Sequence, residues 1–576
     1  MAGLLALAVL SAGGWSAHLG LSVREHLEAT RSALLRLRAV AGVHDPGLMA
    51  GPLADARWHA AEARRLTTGV PWSTVTYLPV LGNAATAVRG LAESAAELTD
   101  VLGGLQRAGT MLAAARARFP GDTRHLLVAV RTAEPILNDA LGGLAWVSSG
   151  LAAIPRDTGV DLLEQSRGTA LREVEELRGR VAAAAAAAAL LPPMLGGDGP
   201  RRYFLAFQTN AEARGTGGLV GAYGILRADR GRMTVERLAA NTALATSPVP
   251  VVRHGRDFHR RYGPGATRML SVSNLSPHFP YAAATWAGLW ERQGGERLDG
   301  AVATDPVGLA RLLEVIGPVT LPDGEQVSAS NVVDLTEREA YARYLDPAAR
   351  KRFLIEIAAA VGAALPAALA DPVALLPVLG HMVSERRIQI WSRHEAEQRR
   401  LSRMPISGVL PTRRGPFAGL VVNNSAGGKL DYYLERSLDY ELGPCRGGLR
   451  PSTVRIRLTN DVPRGTTLPS YVTGRLDVPR RSHLPGSNLL WVSLYGGSGA
   501  RMTEARLDGH RTGVIREIER SHPVYSALVE FTPGQSRRLE FDFSEPASAE
   551  PPLVPVQPLV RPQRTRVTQD QRGCAP

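Results

Sequence analysis

Apolar residues recur at helical spacing from about Ser22 to Leu191. Leu27, Leu34, Leu35 and Val40 form one stripe, with Arg and Glu between them. Leu53–Leu66 carries a second, and Val88, Leu91, Leu98, Leu102 and Leu105 a third within Ala84–Phe119. Asp122–Gly150 and Val160–Leu191 continue the period, with breaks at Pro71–Gly82, near Pro155 and at Pro192-Pro193. The alanine run Ala182–Ala189 adds intrinsic helix propensity. Stripes this long predict a helical bundle or stalk over residues 24–195. No acidic pair and no i, i+4 metal-ligand pair lies on any stripe, so its expected role is structural.

The period changes after Arg201. Tyr203–Phe207 is a short apolar strand, and Ala222–Ala228 and Met233–Leu238 flank the turn Asp229-Arg230-Gly231. Helices are expected at Pro280–Gln293, Pro306–Ile316, Glu337–Tyr344 and Ala348–Leu369, with a strand at Asp299–Thr304. This alternation predicts an α/β (or α+β) central domain over residues 200–402. Gly217, Gly218, Gly221 and Gly224 leave two readings open. They could cradle an anion with backbone N–H groups, or they permit a tight turn or bulge. The strands around them argue against a dinucleotide fingerprint.

From about Ser407 the period is two. Val454, Ile456 and Leu458 alternate with Arg455, Arg457 and Thr459, and Leu539, Phe541 and Phe543 with Arg538, Glu540 and Asp542. Turn pairs such as Asn460-Asp461 and Asp508-Gly509 separate the runs, so residues 405–545 read as a β-sandwich. Residues 546–576 are proline-rich and polar, and are expected to be a disordered tail.

The N-terminus sets the expected compartment. Gly3–Val23 holds no formal charge and is just long enough to cross a hydrocarbon layer of about 30 Å. No small-x-small cleavage site follows it, so residues 1–23 are expected to be an uncleaved transmembrane anchor with the bulk of the chain extracytoplasmic.

Composition narrows the partners. The chain has 576 residues, 44% of them hydrophobic, too many for one core and enough for several. The net charge of +13 favours a polyanion. The arginines are scattered near Glu and Asp rather than blocked with aromatics, which argues against nucleic acid. Lys351 and Lys429 are the only lysines among 67 basic residues. Cys445 and Cys574, the only cysteines, allow one long-range disulfide or two thiols and exclude a cysteine-built zinc site. No G-x-S-x-G, H-E-x-x-H or phosphate-loop motif occurs.

The segments RRYFLAFQTNAEARGTGGLVGAYGIL, SVSNLSPHFPYAAATWAGLWERQGG and LDGAVATDPVGLARLLEVIGPVTLPDG resemble the bacterial domain of unknown function 4012 family. NNSAGGKLDYYLERSLDYEL and NDVPRGTTLPSYVTG extend the likeness. The resemblance implies an actinobacterial, membrane-anchored, extracytoplasmic envelope protein. More faintly, the order of strand, acidic-plus-Arg turn, D-P-V…L-L-E-V-I-G-P-V and a basic helix start is similar to LytR-CpsA-Psr enzymes. Those transfer glycans from polyprenyl-pyrophosphate lipids to the cell wall.

That second likeness implies arginines for pyrophosphate, because guanidinium forks bind its oxygens bidentately. It also implies carboxylates for Mg²⁺. The candidates are Glu212, Arg214 and Asp299 for catalysis, Arg214, Arg268, Arg350 and Arg352 for phosphate, and Asp299 and Asp305 for metal. Two functions stand against each other. One is transfer of a polyprenyl-linked envelope glycan. The other is a non-catalytic scaffold that binds anionic glycan, lipid or a protein partner. The enzyme requires the candidates to converge on a pocket; the scaffold pairs each arginine with a neighbouring carboxylate.

Overall fold

The structure, a computed structural model, describes residues 2–41, 46–78, 81–119, 121–369, 372–463, 465, 467–476 and 483–574. The side chains of 2–18, 41, 46, 366–369, 372–374 and 376 fall outside the description, and most of the expected anchor lies there. Among the described residues no helix is long and apolar enough to cross a membrane. The chain divides into two compact units, Met1–Gly199 and Pro200–Pro576.

The first unit is helical, as its stripes predict. It comprises α1 (Ala2–Ala41), α2 (Pro46–Thr68), α3 (Val70–Val75), α4 (Gly82–Arg118), α5 (Thr123–Ala153) and α6 (Asp161–Met194). Neighbours in sequence pack together: α1 on α2, α4 on α5, α5 on α6. Val101, Leu144, Val147, Leu151, Val174 and Val181 form their shared core. Asp122 starts α5 by accepting from Arg124 N at 2.9 Å, the expected N-cap bond. Pro192 and Pro193 fall in the last turn of α6, where the missing N–H and the ring bring the helix to its end.

The second unit joins a mixed sheet to a sandwich. Its first sheet contains β1 (Arg201–Arg214), β2 (Gly217–Asp229), β3 (Arg232–Ala240) and β4 (Gly300–Thr304), with Ile388–Ser392 at the far edge. Strands β1 and β4 are parallel and the other pairs antiparallel. Numbering the two-residue hairpin Val319–Thr320 and Gln326–Val327 as β5 and β6 makes the edge strand β7. Helices α7 (Arg256–Tyr262), α8 (Phe279–Arg292) and α9 (Pro306–Ile316) follow the chain, and α8 buries Phe279 and Trp286 against Phe204, Tyr223 and Ala303. Short helices α10 (Val332–Asp334) and α11 (Ala340–Arg343) flank a π-helical turn at Leu335–Glu339. Helix α12 (Pro347–Leu369) packs along β3.

The sandwich faces a six-stranded sheet against a four-stranded one. The strands are β8 (Ala418–Asn424), β9 (Leu434–Leu442), β10 (Leu449–Asn460), β11 (Asn488–Gly496), β12 (Arg501–Leu507), β13 (His510–Arg511), β14 (Ile515–Glu519), β15 (His522–Phe531), β16 (Ser536–Pro546) and β17 (Arg564–Gln569). The period-two residues point inward as predicted. Val454 pairs with Phe541 and Ile456 with Leu539, and all four are buried in the core between the sheets. Ala213 at the end of β1 lies in that same core, and the mixed sheet and the sandwich fall within one compact unit.

The disordered-tail expectation is corrected. After β16 the chain crosses the unit as a strap, enters the six-stranded sheet as β17 parallel to β9, and ends in a Cys445–Cys574 disulfide. Leu559 is buried in the sandwich core. Buried arginines hold the strap by its carbonyls: Arg387 donates to Leu559 O at 2.8 Å, and Arg436 to Gln557 O at 3.2 Å and Arg561 O at 3.1 Å. Composition hides these contacts because the arginines that hold the strap bind its backbone oxygens, which every sequence carries.

Candidate functional site

The glycine-rich stretch resolves in favour of close packing. It is strand β2, and a Cβ on Gly218 would stand 2.0 Å from Thr209 O. Opposite it, β1 slips register: Thr209 pairs with Leu219 but Ala213 with Gly218. Asn210, Ala211 and Glu212 therefore bulge out of the ladder, as bulges do where a strand must re-aim a side chain.

Carboxylates take the amide donors of the bulge. Glu337, from the π-helical turn, accepts from Asn210 N at 3.1 Å, Ala211 N at 2.6 Å and Thr209 Oγ1 at 2.8 Å. Asp431 accepts from Ala213 N at 2.7 Å and from Asn424 and Asn488 side chains. Burial pushes the Glu337 carboxyl up to about 7 against those hydrogen bonds. Burial raises Asp431 likewise.

The bulge delivers Glu212 to two cations. Arg214 Nη2 donates to Glu212 Oε1 at 2.6 Å, and Lys429 Nζ donates to Oε2. All three side chains are buried. Burial would raise the Glu212 carboxyl, but Lys429 and Arg214 more than offset it and hold it below the ordinary value. The same pairing raises Lys429 against its own burial. Arg214 also donates to Ser271 O at 3.1 Å and Ala213 O at 2.9 Å, so its fork is fully committed.

Two more cations stand close by. Arg350, buried at the start of α12, lies 4.0 Å over the Tyr471 ring and 5.1 Å over that of Tyr341, and donates to Tyr344 O. Such stacking suits the flat face of a guanidinium. Lys351 donates to Thr242 Oγ1 at 3.1 Å; burial, then Arg350 and Lys429, lower its pKa. Lys429 thus links two groups: it pairs with Glu212, whose charge reaches the buried Asp431, and it shares the Tyr471 ring with Arg350 and acts on Lys351. Tyr471, 47% exposed, and Thr242 border this cluster on its solvent side.

The other predicted residues do not join. Asp299, at the opposite end of β4, accepts from Arg201 and Arg202 N. Asp305 caps α9 through Gly308 N at 2.8 Å and receives Arg387 Nη1 at 2.8 Å. The five residues of β4 separate the two aspartates, six steps of extended chain or about 20 Å, so they cannot share a magnesium ion. Among the described residues no group of three or more His, Cys, Asp and Glu is arranged to hold a metal. Arg268 donates to Ser247 O, and Arg352 is exposed. A cleft of about 420 Å³ beside Arg237 and Trp290 contains none of the predicted residues.

Lys429, Glu337, Asp431 and Tyr471 escape the sequence reading. Lysine scarcity is the signal that could have found the first, since both lysines of the chain belong to this cluster.

Residues 198–341 match the family described as Protein of unknown function (DUF4012). No curated protein and no solved structure matches the chain. The DUF4012 segment contains the β1 bulge, Glu212, Arg214 and Glu337, while Lys429 and Tyr471 come from the sandwich that follows.

Proposed function

We propose that the chain is a membrane-anchored, extracytoplasmic cell-envelope protein that binds an anionic glycan or phosphate-bearing lipid without transforming it. One observation carries this reading: Arg214 and Lys429 together bind the Glu212 carboxylate, and Arg350 and Lys351 add two further cations beside Lys429, against Glu212 and the buried Asp431. That excess of positive charge favours an anion, while Glu212, bound on both oxygens, has no lone base left to offer. The carboxylates suggested for magnesium are each consumed in a separate structural contact. The Cys445–Cys574 disulfide supports an oxidising compartment outside the cytosol.

A glycan-transfer reading draws on Glu337, a buried carboxyl near 7 beside Thr209, which has the proton affinity of a general acid at neutral pH.

One assay decides between them. The full chain in detergent micelles is incubated with a polyprenyl-pyrophosphate glycan and Mg²⁺. Binding without released lipid phosphate is expected, weakened roughly tenfold or more in Lys351→Glu. Release of lipid phosphate that Glu337→Gln abolishes would replace binding with transfer.

A further inference from the structure

The helical unit exposes a compact apolar tip. Val70, Tyr77, Leu78 and Leu81 are 79%, 87%, 48% and 54% exposed, all within the short stretch around α3. Scattered surface apolar residues are ordinary, but four large ones between positions 70 and 81 need something to cover them.

The tip is built, not frayed. Trp72 points the other way, into a cluster with Val23 of α1 and Ala85 of α4, flanked by Leu19, Leu27 and Leu66. Its Nε1 donates to Ala85 O at 3.0 Å. Leu78 N bonds to Val75 O at 3.1 Å and Gly82 N to Leu78 O at 2.8 Å. The turn closes so tightly that a Cβ on Gly82 would stand 2.5 Å from Thr76 O. A surface fixed in advance loses little entropy when it docks.

Its position along α1 identifies the partner. The Trp72 cluster lies level with Leu19–Leu27, where the uncharged run Gly3–Val23 ends and Arg24 begins. Leu21 on that stretch is itself 65% exposed. Next to the tip on the other side, Arg24 pairs with Glu28 and Arg65 with Glu62, an ion-paired collar suited to water.

Resting on the membrane-anchored reading above, we infer that Val70, Tyr77, Leu78 and Leu81 form a second membrane contact. They dip into the boundary between headgroups and acyl chains beside the point where α1 leaves the bilayer. Tyrosine suits that depth, with an apolar ring and a hydroxyl that reaches water. Two contacts on a rigid turn would fix the tilt of the helical unit, which a single helix crossing leaves free.

Because both native cysteines are paired, Tyr77→Cys and Leu81→Cys can each be labelled singly with a polarity-sensitive fluorophore. The labelled full chain is reconstituted into phosphatidylcholine–phosphatidylglycerol vesicles. Val128→Cys, exposed near the start of α5 beyond the far end of α4, is the control. Expected are a blue shift and quenching by nitroxide-bearing lipid at positions 77 and 81, and neither at 128. Probes at 77 and 81 as wet as at 128, in chain that floats with the vesicles, overturn the second contact and leave the anchor standing. A blue shift that needs no lipid and vanishes on dilution would assign the tip to a second copy of the chain instead. Chain that fails to float overturns both the anchor and the contact.

Discussion

Lys429 donates to Glu212 across 217 residues of sequence, and both side chains are buried. The pair ties the β1 bulge to the turn that follows β8, so the mixed sheet and the sandwich share a charge they cannot easily give up. Lys429→Met should therefore cost about 3 kcal/mol, because the buried Glu212 then keeps Arg214 as its one direct ion-pair partner among the described residues. Adding Glu212→Gln to Lys429→Met should recover part of that loss. Urea midpoints of the two variants and the parent check both statements. A cost under about 1 kcal/mol would describe a solvated surface bridge instead.

Glu337 gives stability an unusual slope with pH. Its folded pKa, about 7, lies above the ordinary glutamate value of 4.5. The folded state therefore binds the proton more tightly than the unfolded one. Its contribution is fully present below about 4.5 and is lost as pH rises through about 7. Between those limits the parent should lose of the order of 2–3 kcal/mol relative to Glu337→Gln, which cannot ionise. Thermal melts of both chains at acidic and mildly alkaline pH measure the difference. A constant gap between them across that range would place the carboxyl in an ordinary environment.

The strap should answer to reduction unevenly. Cys445 and Cys574 are 129 residues apart, so their bond restricts a long stretch of the unfolded chain and is worth about 2–4 kcal/mol. Locally, though, Gln557–Leu559 is held by Arg436, Arg387 and the sandwich core, whereas β17 is held by β9, the disulfide and, just past its end, Arg450, which donates to Asp570 O at 2.6 Å. Cys574→Ser should speed amide exchange across Arg564–Gln569 and leave the amides around Leu559 protected. Exchange that rises equally along the whole strap would show that the disulfide, not the arginines, keeps it in place.

What the sequence reveals and what it hides follows from the range of each interaction. Val454, Ile456 and Leu458 declare their strand because burial on one face imposes a period of two within a few residues. The helical stripes of the first unit are legible for the same local reason. The pairing of Glu212 with Arg214 is within reach too, since alternate strand residues share a face and the bulge barely separates them. Lys429 is not, because nothing near position 429 encodes a partner at 212. Gly218 shows the limit from the other side. Its need for space comes from Thr209 across the hairpin, so the sequence alone leaves an anion cradle and a tight contact equally open. The likeness to LytR-CpsA-Psr enzymes offers Asp299 and Asp305 as metal ligands, yet they flank the two ends of β4.

That separation yields a further test. Asp305 is 3% exposed, caps α9 and neutralises the buried Arg387. Asp305→Ala loses a cap worth about 1 kcal/mol and leaves a buried guanidinium short of its partner, for a total of about 2–4 kcal/mol. Asp299 faces solvent on one side, its side chain 26% exposed, and Arg201 also reaches Glu397. Asp299→Ala should therefore cost about 1 kcal/mol or less. Neither substitution should change how magnesium affects the melting temperature, because two carboxylates about 20 Å apart cannot coordinate one ion. A magnesium-dependent rise in Tm that both variants abolish would bring the aspartates back to a single site.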